Sequence, residues 1–256
     1  MKTILSPTDY STTARNATNY AIELAKLSGA EIILLHAITV PITTMEIHGP
    51  MLYNIGDMER ENEKILQTLK KEIANKYKSL KVQSQLTVGF PVEEIINTAD
   101  EKKADLIVIG LKGANKTEEF FIGSNASSVV KDAHCPVLII PDDAKFIPPK
   151  NIVIACDYNK DFENENIWVH IKEFVNLFNS NIFVLDVLNK EEGATVEVAT
   201  TGIKVENFLR NIPHTLHFVE GEDVTESIND FIREKKADML VMLPKRYNII
   251  AGLFHK

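Results

Sequence analysis

The chain repeats itself. Lys2-Thr3-Ile4-Leu5-Ser6-Pro7-Thr8-Asp9-Tyr10 returns as Lys150-Asn151-Ile152-Val153-Ile154-Ala155-Cys156-Asp157-Tyr158, an apolar run that ends in Asp-Tyr both times. Glu31-Ile32-Ile33-Leu34-Leu35-His36 is echoed by Asn181-Ile182-Phe183-Val184-Leu185-Asp186, which sets His36 opposite Asp186. Gly89 and Lys103-Ala104-Asp105 find counterparts in Gly221 and Lys236-Ala237-Asp238. A repeat on this scale fixes the architecture before any single element is assigned, because each copy is one folding unit. The copies stand 148 positions apart at the first match, 150 at the second and 133 at the third. The second copy therefore lacks about 17 residues, assigned to the loop and helix start at roughly 41–60.

Within each copy, short apolar runs alternate with helical patterns, the signature of a parallel sheet covered by helices on both faces. In the first copy the runs are 4–6, 32–35, 82–88, 106–109 and 137–140. Between them, Ala14, Ala17, Ala21, Leu24 and Ala25 recur at helical spacing behind the caps Ser11 and Thr12, and Ile65, Leu69 and Ile73 mark a second helix. Val92, Ile95, Ile96 and Ala99 mark a third. The first copy closes at Ile140-Pro141, and Phe146-Ile147-Pro148-Pro149-Lys150 is a stiff connection in which prolines discourage any continuous element. The expected organisation is α/β, with two tandem doubly wound domains at 1–145 and 150–256.

Composition narrows the function. Lys and Arg total 28 against 36 Asp and Glu, a net charge of −8, which excludes a general electrostatic attraction to nucleic acid or an anionic membrane. Cys135 and Cys156 lie in or beside apolar runs without a paired spacing, so they read as reduced thiols. No run reaches membrane-spanning length, and the N-terminus opens directly into an apolar strand. The expectation is a soluble, cytoplasmic protein.

Ligands of open parallel sheets bind beyond the carboxyl ends of the strands, so those ends carry the search. The first ends in Pro7-Thr8-Asp9, the second in His36-Ala37, the third in Val88-Gly89-Phe90-Pro91 and the fourth in Gly110-Leu111-Lys112-Gly113. Gly110-x-x-Gly113 is followed after nine residues by Gly123-Ser124-Asn125 and a helical run. Glycines let backbone N–H groups approach phosphate oxygens, and a helix opening at Gly123 and Ser124 favours an anion at its N-terminus. The loop is neither a Walker sequence nor the glycine pattern that follows the first strand of a Rossmann domain. Taken without its context, a pair of glycines three apart is better explained by a structural turn.

In context the first copy resembles the universal stress protein family and its G-x-x-G, nine residues, G-S/T nucleotide motif. The resemblance implies a five-stranded parallel sheet of order 3-2-1-4-5 that binds ATP, or ADP or AMP, at the carboxyl ends of the first and fourth strands. It implies that Asp9 contacts ribose and adenine, that Ala37 offers backbone groups to the base, and that Pro7, Thr8 and Val88 line the pocket. Gly110, Gly113, Gly123, Ser124 and Asn125 would hold ribose and phosphates, with Lys112 adding charge and Mg2+ accompanying the phosphates. Family members commonly pair through the fifth strand, which implies a homodimer.

The second copy departs from this pattern. Leu243 and Arg246 stand where the first copy has Gly110 and Gly113, so side chains occupy the space a phosphate needs, and no nucleotide is expected there. The copy also ends before a counterpart of the last helix and fifth strand. A stress-response binding or signalling module is the leading reading. Its rivals are a slow ATPase or nucleotidyl-transfer enzyme, with Lys112 and Asp9 as its charged groups, and a nucleotide-independent interaction scaffold. His214 and His217 read as strand or surface residues rather than metal ligands, since no third ligand stands at a zinc spacing. His36 reads as a packed, hydrogen-bonded residue beneath the adenine pocket.

Overall fold

A computed structural model describes residues 1–39, 55–111, 124–156, 165–188 and 196–243. The chain divides into two compact units, Met1–Phe146 and Ile147–Lys256.

In the first unit, strands β1 (Thr3–Pro7), β2 (Glu31–Ile38), β3 (Val82–Val88), β4 (Leu106–Leu111) and β5 (Val137–Pro141) form one parallel sheet of order β3-β2-β1-β4-β5. All five residues of β1 are buried, as a central strand covered on both faces requires. Helix α1 (Thr12–Ser28) starts where the Ser11 side chain accepts a hydrogen bond from Ala14 N and stops at Gly29, which takes the left-handed conformation (φ 73°). Its buried stripe is mostly small, with Ala14, Ala17, Ala21 and Ala25, and the Ser6 and Thr18 hydroxyls meet across the contact with the sheet at 2.9 Å. Helix α2 (Ile55–Lys76) covers β2 and β3 on the same face, where Gln67 donates to Ser84. On the opposite face, Ile95 and Ala99 of α3 (Pro91–Glu101) and Val129 of α4 (Ser124–Asp132) bury Leu5, Ile33, Leu35 and Ile107. After β5 the chain is tied back to α1: Asn16 Nδ2 donates to the carbonyls of Pro141 and Ala144, both at 2.9 Å, and Tyr20 meets Phe146 edge-on.

The second unit repeats the plan with β6 (Asn151–Ala155), β7 (Asn181–Leu188), β8 (His214–Glu220) and β9 (Met239–Met242) in the parallel order β8-β7-β6-β9. Helices α5 (Glu165–Val175) and α6 (Val196–Phe208) cover one face around Trp168, and α7 (Val224–Lys235) covers the other through Ile228 and Phe231. The sequence places the shortening in the loop and helix start; the helix itself takes a large share of it, 13 residues in α6 against 22 in α2. Among the described residues the second sheet has four strands.

Candidate functional site

The carboxyl end of β1 is held as a rigid turn. Thr8 N donates to Leu35 O of the neighbouring strand at 2.8 Å, and the Thr8 carbonyl accepts from His36 Nδ1 at 2.7 Å. Tyr10 follows with φ 63°, a left-handed conformation uncommon for an aromatic residue, and is held there by its N–H bond to Thr8 Oγ1 at 3.0 Å. The Tyr10 hydroxyl donates to Asn62 O of α2, and its ring lies 4.4 Å from that of His36. Burial, with the nearby Glu63 charge, pushes the Tyr10 phenol up to about 12. Between these fixed neighbours stands Asp9, exposed, its Oδ1 accepting from Ser11 N at 3.0 Å. Partial burial acts to raise its pKa, but the bonds from Ser11 and the positive field of His36 outweigh it and hold the carboxyl below its ordinary value. The turn thus presents an ionised acceptor at the edge of the sheet.

The other expected residues come to the same edge by topology, since all strands run parallel. Pro7 ends β1 and is buried; Ala37 and Val88 lie at the ends of β2 and β3, with Ala37 in register with Thr87 and Val88 exposed. Ser124 and Asn125 are exposed in the first turn of α4, the helix that follows β4. Lys112, Gly113 and Gly123 lie outside the described residues. Gly110 belongs to β4, in register with Ile140. A Cβ built there would stand 2.7 Å from Thr13 O and 2.8 Å from Thr13 Cγ2, so this glycine is required first by the close approach of α1 to the sheet. Sequence reasoning weighed phosphate approach against a structural turn and did not foresee this packing contact. The role of Tyr10 in shaping the turn was missed, although the recurring Asp-Tyr pair pointed to it, whereas His36 is the packed, hydrogen-bonded residue that the sequence reading expected.

Between α1 and α2 a cleft of about 460 Å³ opens, with Thr8 and Tyr10 at one end and Lys76 and Tyr77 at the other. The second unit keeps the backbone of the first and changes its side chains. Cys156 N donates to Leu185 O as Thr8 N does to Leu35 O, yet Cys156 and the buried Asp186 replace Thr8 and His36. Leu243, the counterpart of Gly110, packs against the core that contains Cys156 and Trp168. Asp157, Pro244 and Arg246 lie outside the described residues. His214 and His217 fall on β8, and among the described residues no group of three or more potential metal ligands converges. No helix among them is long and apolar enough to cross a membrane.

Comparison with known proteins gives a consistent result. Two universal stress proteins of Methanocaldococcus jannaschii are each 34% identical to this chain, over 145 and 152 residues, matching 56% and 54% of it and 84% and 94% of their own lengths. The crystal structure of a universal stress protein from Archaeoglobus fulgidus aligns over 94% of this chain and 86% of its own, with a TM-score of 0.73 at 21% identity, so the likeness of fold extends through both units. The model of the universal stress protein family matches residues 1–141, more than half of the sequence, and the chain belongs to that family.

Proposed function

We propose that the first unit binds ATP, or the related ADP or AMP, at the carboxyl edge of its sheet and serves as a nucleotide-dependent stress-response module. The observation that carries this reading is the Thr8-Asp9-Tyr10 turn, whose bonds fix an exposed, ionised carboxylate at the position the family motif assigns to ribose and adenine. The described residues fit that end of the ligand: Asp9 accepts hydroxyl or amine hydrogens, the backbone at Ala37 faces the same edge, and Ser124 and Asn125 open a helix whose first amides suit an anion. Lys112, Gly113 and Gly123 complete the phosphate end in this proposal, with Mg2+ entering on the phosphates. The second unit, with Leu243 in place of Gly110, binds no nucleotide by this route and serves partner contact. The functional form is a cytoplasmic homodimer.

The test has two parts. The small molecule that co-purifies with the protein is identified, and ATP, ADP and AMP are titrated by calorimetry into wild type and Gly113→Arg, which copies the second unit's residue. One nucleotide per chain, lost in the variant, supports the reading; equal binding by both overturns the loop assignment. Multiple turnovers of ATP that vanish in Asp9→Asn would replace the binding module with an enzyme.

A further inference from the structure

We propose that the cleft between α1 and α2 binds an amphipathic acid, an extended hydrocarbon chain that carries one carboxylate; the proposal does not rest on the nucleotide reading. The two helices lie on the same face of the sheet without closing on each other. Of the 22 residues of α2 only Leu66 and Ile73 are buried, and Ile65, on the wall of the cleft, is 43% exposed. Ile73 and the buried Ile22 of α1 make an apolar floor, and Leu69 continues the wall from Ile65. Thr18 and Thr68, which also line the cleft, spend their hydroxyl hydrogens on their own helices: Thr18 Oγ1 donates to Ala14 O at 3.0 Å and Thr68 Oγ1 to Lys64 O at 2.8 Å. A ligand lying there meets mostly carbon, which favours a hydrocarbon body over a sugar or a base.

Charge decides the head group. Arg15, Lys64 and Lys76 line the cleft against the single carboxylate of Glu72, a cationic excess on a chain whose net charge is −8. Lys76 lies over the ring of Tyr77, 5.2 Å from its centroid, and is engaged at the far end. Arg15 and Lys64 are exposed on opposite helices toward the end marked by Tyr10, and neither is paired with a carboxylate among the described residues. Glu63, next to Lys64, already accepts from Gln67 Nε2 at 2.8 Å. An acid group held between Arg15 and Lys64 leaves its chain to run along the apolar floor. The shape fits that occupant. Lys64 and Lys76 stand about 18 Å apart along the axis of α2. A volume of about 460 Å³ spread over that length is a narrow channel, suited to one extended chain rather than to a fused ring system.

The experiment titrates the intact chain with dodecanoate, below its micellar concentration and without ATP, by calorimetry. Decanoate and dodecyltrimethylammonium serve as comparison probes, and circular dichroism verifies the fold of each variant. One dodecanoate per chain is expected, with decanoate about tenfold weaker for the two methylenes it lacks. Dodecyltrimethylammonium, which has the chain but the wrong charge, should bind about fivefold more weakly than dodecanoate, and the double variant Arg15→Gln, Lys64→Gln should lose about the same factor for dodecanoate. Ile65→Glu, which sets a carboxylate in the apolar wall, should abolish binding. Absence of saturable binding overturns the proposal, as does equal affinity for the anionic and cationic probes or a double variant that binds like wild type. Sedimentation of the ligand-free protein tests the other occupant: a dimer that Ile65→Glu converts to monomer would make this face an interface between copies of the chain and overturn the ligand site. Because every arm is read without ATP, failure of the nucleotide reading leaves the result intact, and failure here leaves that reading in place.

Discussion

The carboxylates of Asp105 and Asp238 make the same pair of bonds in the two units. Asp105 Oδ2 accepts from Lys2 N and Thr3 N at 2.5 and 2.8 Å, and Asp238 Oδ2 accepts from Lys150 N and Asn151 N at 2.8 and 3.0 Å. Each aspartate also gives its own N–H to the chain it clamps, Asp105 to Thr3 O and Asp238 to Asn151 O, both at 2.9 Å. The residue entering the fourth strand of a unit thus pins the start of its first strand, where an unpaired amide would otherwise fray. Asp238→Ala is expected to destabilise the second unit by about 2 kcal/mol, the usual cost of losing hydrogen bonds to a charged acceptor. Urea unfolding followed by the fluorescence of Trp168, the only tryptophan in the sequence, reads that unit directly. An unshifted midpoint would remove the clamp from the account of stability.

Two glycine substitutions are expected to differ in sign. Gly110→Ala drives a methyl group into the backbone of Thr13, which cannot swing aside, and should cost about 1–3 kcal/mol. Gly202→Ala lies within α6, where the nearest atom to a new Cβ is Leu216 Cδ1 at 3.8 Å, and should stabilise by about 0.5–1 kcal/mol through helix propensity. Thermal unfolding of the two variants beside wild type checks the contrast, and a stabilised Gly110→Ala would contradict the close approach of α1.

Alkaline stability carries the signature of Tyr10. Its folded pKa of about 12 lies above the ordinary phenol value of 10.0, so the folded state prefers the neutral phenol. That contribution is complete below pH 10 and is lost as pH rises toward 12. Tyr10→Phe has no such proton to lose. Its unfolding free energy should therefore fall less than that of wild type across the window, as measured by denaturant titration at successive pH values.

Cys135 should be a slow thiol. Burial first, and then the charges of Asp100 and Asp105, raise it to about 11, so little thiolate exists at neutral pH. Alkylation in the native protein, followed by mass spectrometry of the Cys135 peptide, should run at least tenfold slower than for a free cysteine. Asp100→Asn should speed it; an Asp100→Asn rate below that of wild type would contradict the proposed charge effect.

The bonds of Asn16 to Pro141 O and Ala144 O imply a fifth outcome, in the segment that leaves the first unit. Asn16→Ala frees that segment, and trypsin should cut after Lys145, which is exposed, roughly tenfold faster through the more populated open form. Peptide mapping at early times identifies the cut. An unchanged rate would show that the packing of Phe146 on Tyr20 holds the segment without Asn16.

Much of this architecture is legible in the residues. The short apolar runs and the repeat yield the strands, and the resemblance carried by the Gly-Ser loop yields the order β3-β2-β1-β4-β5. Among the described residues the second sheet has four strands. The deletion lies where the repeat places it, in the loop and helix start, and shows as the shorter α6, 13 residues against 22 in α2. At the site, Asp9 stands out in both copies. The left-handed backbone of Tyr10 does not, since it follows from local bonds to Thr8 and not from residue type. The packing role of Gly110 was equally hidden: it depends on how deeply α1 settles on the sheet, a distance that the small residues of α1 permit but do not specify.

The aspartate clamps sit at the amino edge of each sheet, while Thr8 and His36 give way to Cys156 and Asp186 at the carboxyl edge. The strand-start anchors shared by the two units and the residues that differ between them therefore occupy opposite rims of each sheet. A rim exchanged between the two units, with Thr8 and His36 grafted onto the second, would rewrite what that half can hold and leave the strand-start anchors in place.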